Sequence, residues 1–382
     1  MNTNNLNDIF SNYIKKFDDI TYGHEEIYKW EIIHEFKNLM DEALAASSEE
    51  FPAKLLGVKK LTENIIDSYT TPFYGLVKLS EKEPEAVKNM FKSLYTDDGG
   101  DINIKQQHIR DFLISSHELR SRSDTPDSFL YKNDMHSVTA YLFLYDPDHN
   151  YMYKATEARA FADCIEFYDD WGSGDNLKLD VYYRMCDQLV EAIKTNEELL
   201  NADMRRFNND PGKEHKPLYP DPEKHVLAFD LIFGCRNYNL FDGIDFDRPK
   251  SKERQIIKEM KEKAIELYEN YLIAKEKYDL LQEAEVYLNT TFAAGQKLKH
   301  KNLGEGTVLE NNGNTITVEF REKGQKKFGT ITAAIIGMIE SETEGYGEKI
   351  EKYKDILNNG NKIKSIYNYA EKAMNEYSEY LD

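Results

Sequence analysis

The chain of 382 residues is poor in cysteine, and that scarcity is informative. Its three cysteines, Cys164, Cys186 and Cys235, are far apart and odd in number. They fit buried thiols in a reducing cytoplasm better than disulfides, and no Cys-x-x-Cys pair suggests a zinc site. No apolar run reaches membrane-spanning length, and the mean hydropathy is -0.69, so no membrane partner is expected. The opening residues MNTNNLNDIF carry no basic region followed by an apolar core, so no secretory signal is read and a cytoplasmic location is expected.

Catalytic signatures are scarce too. A phosphate loop needs upstream glycines before Gly-Lys-Ser/Thr, but Gly212-Lys213 is followed by Glu214-His215. Gly304-Glu305-Gly306 lacks the third glycine and helix of a dinucleotide fingerprint. There is no Gly-x-Ser-x-Gly and no His-Glu-x-x-His. His136 and His149 with Asp146 and Asp148 could assemble a metal set, but scattered surface histidines are the preferred reading. Asp97-Asp98-Gly99-Gly100-Asp101 lacks calcium-loop spacing and reads as a plain turn. Pro220-Asp221-Pro222-Glu223-Lys224 lacks the separate carboxylate and the Glu-x-Lys of a nuclease cluster. No catalytic residue, metal or cofactor is expected, and the chain is read as a non-enzyme.

What is present is mostly helical pattern. Residues 6–46 carry Ile27, Trp30, Ile33, Phe36 and Met40 at helical spacing. A second block runs from about 53 to 95, with a fresh start at Pro84 followed by the stripe Val87, Met90, Phe91 and Leu94. Helices are expected over 104–121, with basic Arg110, Arg120 and Arg122 near an exposed loop at 123–128. The short apolar run 137–145 suits a buried helix or a strand, its helical neighbours favouring helix, and a further helix is expected over 179–200. Tyr151 to Lys154 reads as a short extended piece. The proline-rich stretch 208–222 reads as a linker, 224–233 as the last apolar segment of a helical domain 1–235, and 239–250 as a polar connection. The 26 tyrosines fall mainly on helical stripes and read as packing.

Residues 298–328 differ from the rest. Thr315 to Phe320 alternates as a half-buried strand, and Asn311-Asn312-Gly313-Asn314 supplies the turn before it. From Lys297 to Gly329 there are seven Lys/Arg against four Glu, within a chain of net charge -20. The acidic balance argues against nucleic acid wrapping the whole surface but leaves a local basic patch open. Lys299, His300, Lys301, Arg321, Lys323, Lys326 and Lys327 are the candidate contacts to nucleic acid or a partner, with Phe320 or Phe328 beside them for stacking. Alternatively these charges keep a small domain soluble, or the module docks a protein.

Two heptad arms flank this module, 250–290 and 346–382. The first carries Ile257, Met260, Ala264, Leu267, Tyr271, Ala274, Tyr278, Leu281 and, after a one-residue slip, Leu288; the second carries Tyr353, Ile356, Gly360, Ile363, Tyr367, Ala370, Met374, Tyr377 and Leu381. The expected fold is mainly α: a helical N-terminal domain plus an antiparallel coiled-coil hairpin with a small β-barrel, residues 296–340, at its tip. Oligomers through the coiled coil are an option. Deleting Gln296 to Ile339 is expected to leave the helical body folded.

Two resemblances bear on function. Lys299-His300-Lys301-Asn302-Leu303-Gly304-Glu305-Gly306-Thr307-Val308, followed by Val318-Glu319-Phe320, resembles the Tudor- or SH3-like barrels of bacterial helicases and transcription-coupling proteins, with Leu303 in place of the usual Phe. Such barrels bind nucleic acid, RNA polymerase or other proteins. Residues 1–235, through Tyr28-Lys29-Trp30-Glu31, 79–94, 137–145, 151–154 and 225–233, resemble the N-terminal helical region of the AAA-type, McrB-like proteins of modified-cytosine restriction. No motor domain is expected in the residues that follow 235. The resemblances imply recognition without nucleotide hydrolysis, in prokaryotic defence or DNA transactions. The competing expectation is a protein adaptor or inhibitor whose acidic surface mimics nucleic acid.

Overall fold

A computed structural model describes residues 1–66, 71–123, 131–208 and 216–381. The Gly212-Lys213 pair and parts of the 123–128 and 208–222 loops lie outside the described residues. The chain divides into two compact units, Met1–Gln255 and Ile256–Asp382. It is mainly helical, with one small antiparallel sheet.

The first unit is built from α1 (Thr3–Asp18), α2 (Tyr28–Ala45), α3 (Phe51–Leu61), α4 (Pro72–Ser80), α5 (Pro84–Leu94), α6 (Ile102–Ser121), α7 (Met135–Tyr145), α8 (Ala155–Cys164), α9 (Leu179–Thr195), α10 (Glu197–Asn208) and α11 (His225–Asn237). Local chemistry explains the boundaries. Pro84 occupies the first turn of α5, where its missing N–H costs nothing, and Val87, Met90, Phe91 and Leu94 face the core. A capping box of Asp134 and Ser137 starts α7, whose residues 137–144 are all buried. That continuous apolar run is therefore an enclosed helix. In the aspartate loop, Asp97 and Asp98 accept from the N–H groups of Gly99 and Gly100, and Asp101 caps α6. These carboxylates close the turn.

Two expected helices are each divided. The 6–46 block is broken by a π-helical turn at Asp19–Gly23, and Glu25 takes φ 59° before α2 begins. The 179–200 helix ends at Thr195, because Asn196 is extended and its side chain accepts from Leu199 N–H to start α10. The polar connection 239–250 is partly core: Leu240 is fully buried, and Asn12 donates to the carbonyls of Leu240 and Asp242.

The second unit begins within α12 (Ser251–Thr291). Five strands follow, β1 (Lys297–His300), β2 (Gly304–Asn311), β3 (Thr315–Phe320), β4 (Gly324–Gly329) and β5 (Ile339–Ser341), with α13 (Thr330–Ile335) before β5. All pairings are antiparallel, in the order β4-β3-β2-β1-β5, with a bulge at Val308/Glu310. Leu298, Val308, Ile316, Val318, Phe320 and Ile339 form the buried face. The expected turn is present: Gly313 takes φ 87°, and Asn312 Oδ1 accepts from Thr315 N–H.

The C-terminal arm is two helices, α14 (Tyr346–Asn358) and α15 (Gly360–Glu376), separated at Asn359. They run antiparallel to α12. Tyr353 meets Tyr287, Tyr367 stacks on Tyr278 at 4.3 Å, and Tyr377 accepts from Lys263 at 2.7 Å. One hydrophobic core joins Leu281, Leu288 and Phe292 of the first arm, the inner sheet face, and Tyr346, Ile350 and Leu357 of the second.

Candidate functional site

The seven candidate residues fall on different strands and turns of the sheet. Four of them sit on the β3–β4 hairpin. Arg321 and Lys323 lie in its turn, where Gly324 takes φ 65°, and Lys326 and Lys327 lie on β4. β4 is an edge strand, and all four side chains are exposed. None of the four makes an ion pair among the described residues, so their charges face solvent. Lysines on an edge strand also block unwanted strand pairing.

Lys299 lies elsewhere. It is on β1, opposite Glu305 on β2 and Glu340 on β5, so its charge is offset by both neighbours. Lys301 occupies the β1–β2 turn, where its N–H donates to the Met338 carbonyl.

His300 is turned into the sheet rather than presented. It is 5 % exposed and packs against Phe320 and Phe328. Its Nδ1 accepts from the N–H groups of Asn302 and Leu303, so the ring closes the β1–β2 turn. Burial pushes its pKa down, in keeping with a neutral ring whose nitrogen accepts. The stacking role expected of Phe320 also fails, because the ring is 1 % exposed, and Phe328 is half-buried against it. What remains is a cationic hairpin suited to phosphate contact, without an open aromatic platform for bases.

Two groupings in the first unit are not foreseen by the sequence reading. The first is a buried charged network. Tyr13 donates to Asp230 at 2.6 Å, and Lys29 bridges Asp230 and Glu26. Arg206 donates to Tyr13 at 2.8 Å and to Thr21 at 3.1 Å, and its guanidinium lies 3.6 Å from the Trp30 ring centre. Asp203 takes both Arg206 and Lys224. Three cations, Lys29, Arg206 and Lys224, thus balance three carboxylates, Glu26, Asp203 and Asp230. The network ties α1, α2, α10 and α11 together. The signal in the sequence is a lone carboxylate in the apolar run HVLAFDLIF and a lysine beside Trp30.

The second is a cavity of about 500 Å³ lined by Tyr95, Asp98, Lys105, Tyr145, His149 and Tyr183, among others. The buried Lys105 ammonium donates to the His149 carbonyl and to Asn150 Oδ1, and lies 3.5 Å from Asp98. Its donors are engaged, so it pins loops rather than waiting as a nucleophile. Desolvation lowers its pKa, while the Asp146 carboxylate raises that of His149. His136 lies apart from these, its ring donating to the Tyr153 carbonyl. Among the described residues no cluster of three His, Cys, Asp or Glu side chains is arranged to hold a metal.

Asp221, from the segment that only loosely resembles a nuclease cluster, is fully buried and accepts from the N–H groups of Val226 and Leu227 at the start of α11. No described helix is long and apolar enough to cross a membrane. No protein-family model, no curated protein and no solved structure matches the chain.

Proposed function

We propose that the chain is a non-enzymatic recognition protein whose second unit holds nucleic acid by its phosphate backbone, through the β3–β4 hairpin. The observation that carries this reading is the grouping of Arg321, Lys323, Lys326 and Lys327 against Glu319 and Glu322 on one exposed hairpin, none of the four cations being in an ion pair among the described residues, in a chain of net charge -20. Surface cations that meet phosphates displace the counterions condensed on the nucleic acid. The buried state of Phe320 favours duplex backbone over stacked single-stranded bases.

In this reading the sheet is a small SH3- or Tudor-like barrel. Its strand order, with a short helix between β4 and β5, supports that class. The helices around it form a coiled-coil hairpin, supported by antiparallel contacts that keep step from Tyr287–Tyr353 to Lys263–Tyr377. The resemblance of residues 1–235 to McrB-like restriction proteins supports a setting in prokaryotic defence.

The test is binding of the full chain to duplex DNA at two salt concentrations. Four phosphate contacts imply a slope of about -3.6 in log K against log salt, so affinity falls about 150-fold from 50 to 200 mM. Changing Arg321, Lys323, Lys326 and Lys327 to Gln flattens the slope, whereas Lys299→Gln changes it little. No binding of duplex DNA, single-stranded DNA or RNA at low salt refutes the proposal. The net charge of -20 favours one rival, an acidic adaptor. Protein partners retained from native lysate after nuclease treatment, together with failed nucleic-acid binding, would select it.

A further inference from the structure

A guanidinium carries several N–H donors in one plane and cannot shed its charge, so one lodged in a fold needs acceptors. In the first unit Arg184, Arg206, Arg236 and Arg254 each meet a carboxylate. Arg159 on α8 does not. It is half-buried, and its guanidinium lies 3.8 Å from the centre of the Trp171 ring. Stacking on the ring face holds the group flat but uses none of its donors. Among the described residues Arg159 makes no hydrogen bond and no ion pair.

Arg159 lines a cavity of about 250 Å³ together with Tyr168, Ser251, Lys252 and Arg254. Asp169 and Asp170 line it as well. The carboxylates here are already matched. Asp163, which is not in the lining, takes Arg254 through two contacts of 2.8 Å. Asp169 is taken by Arg184 at 2.5 Å, and Asp170 lies 3.9 Å from Lys178 and accepts from the Gly172 N–H. Arg159 and Lys252 are left over: neither forms an ion pair among the described residues. Burial, and then the neighbouring Arg254 charge, push the Arg159 pKa down, so the two guanidiniums stand close enough to repel. Burial, followed by the carboxylates of Glu166, Asp163 and Asp247, pushes the Tyr168 hydroxyl up, so it keeps its proton as a donor.

We propose that this cavity binds a small phosphate monoester, with the phosphoryl group held by Arg159, Arg254 and Lys252. A phosphoryl dianion matches the two unpaired positive charges and relieves the repulsion between the guanidiniums. Its oxygens accept from both guanidinium planes, from the ammonium, and from the Ser251 and Tyr168 hydroxyls. A monocarboxylate would answer only one of the two charges. The volume is below the roughly 300–1,000 Å³ of pockets for drug-sized molecules, so the ligand is small. Asp169 and Asp170 stand in the same lining and repel the further phosphates of an extended polyanion. The cavity belongs to the first unit and shares no residue with the β3–β4 hairpin, so neither reading depends on the other.

The experiment titrates the full chain with inorganic phosphate and with methyl phosphate at fixed ionic strength, with sodium acetate as the control anion. Phosphorus NMR line broadening reports binding, and tryptophan fluorescence reports contact at the Arg159–Trp171 pair. Both phosphates are expected to bind with dissociation constants of about 1 mM or below, and acetate far more weakly. Arg159→Gln weakens methyl phosphate by about tenfold or more, the worth of a hydrogen bond to a charged group. Circular dichroism of this variant checks that the fold is kept. Lys252→Gln, at an exposed position, weakens it by about threefold without disturbing the core. The chain with Arg321, Lys323, Lys326 and Lys327 changed to Gln binds methyl phosphate as the wild type does. No phosphate-dependent change up to about 10 mM, an affinity untouched by Arg159→Gln, an equal response to acetate, or displacement of methyl phosphate by duplex DNA would each overturn the proposal.

Discussion

Asp230 and Lys29 allow a sharp test of what holds the first unit together. Asp230 is fully buried and accepts from Tyr13 and Lys29, and Lys29 is 1 % exposed with Glu26 as its other partner. Replacing Asp230 by Asn keeps the volume and removes one negative charge from a set of three cations and three carboxylates. An uncompensated buried charge costs about 3–5 kcal/mol. For a unit of this size each kcal/mol lowers the melting temperature by about 2–4 °C, so a loss of roughly 6–20 °C is expected. Lys29→Met costs a similar amount by the mirror argument. The double variant Lys29→Met/Asp230→Asn restores the balance, so its cost falls short of the summed single costs by about 2–3 kcal/mol. Urea unfolding followed by tryptophan fluorescence is the assay. Both tryptophans, Trp30 and Trp171, lie in the first unit, so the signal reports that unit alone. Strict additivity of the two single costs would show that the charges do not act as a set.

Two glycines of the β module separate conformational from steric roles. Gly304 takes φ 77° with open space where a Cβ would stand, so Gly304→Asn is mild, near 1 kcal/mol. At Gly306 an added Cβ would lie 2.6 Å from Val318 Cγ1 and 2.7 Å from Phe320 Cε1, so Gly306→Ala costs about 1–3 kcal/mol through overpacking. Differential scanning calorimetry of the second unit's transition checks the order; equal costs would refute the distinction. Asp221 predicts a pH effect. Burial pushes its carboxyl up to about 6, although two backbone N–H groups pull the other way. The folded state then holds this proton longer than the unfolded chain, whose carboxyl titrates near 4. Its contribution to stability is full below about pH 4 and is lost as pH rises to about 6. The stability difference between wild type and Asp221→Asn should shift across that window, and a flat difference would contradict the assignment.

How far the sequence can be read depends on how local the cause is. Pro84 marks the start of α5 because the first helical turn tolerates a missing N–H, and that needs no tertiary partner. The Asn311–Asn314 turn is legible for the same reason, since the side chain of Asn312 closes on its own neighbours. His300 misleads because its basic neighbours are exposed, while its own direction is set by Phe320, twenty places away across the sheet. Asp230 joins Tyr13 across 217 residues, and no periodicity carries such a pair. The edge position of β4 is also hidden. It depends on a three-residue β5 closing back on β1, and three residues are too few to show alternation. GQKKFG therefore reads as a basic run, and its lysines become meaningful only once the strand order sets them at a rim.

The shared core of the second unit changes what the β module can be. As a presented head it would be separable, and removing Gln296 to Ile339 would spare the arms. Yet Leu281, Leu288 and Phe292 of α12 pack in one cluster with Val308, Val318 and Phe320 of the sheet and with Tyr346 and Leu357 of α14. Deleting the sheet strips the cover from those helical residues. The first unit, whose own core lies within Met1–Gln255, keeps its fold, while the arms lose order. The same continuity suits the proposed function. A cationic hairpin backed by a core that runs into two helices is held stiffly, and charges held in place lose less freedom on meeting a phosphate backbone. Hairpin contact and arm stability are therefore one property of the second unit, and variants that loosen Phe292 or Tyr346 should weaken binding without touching a single lysine.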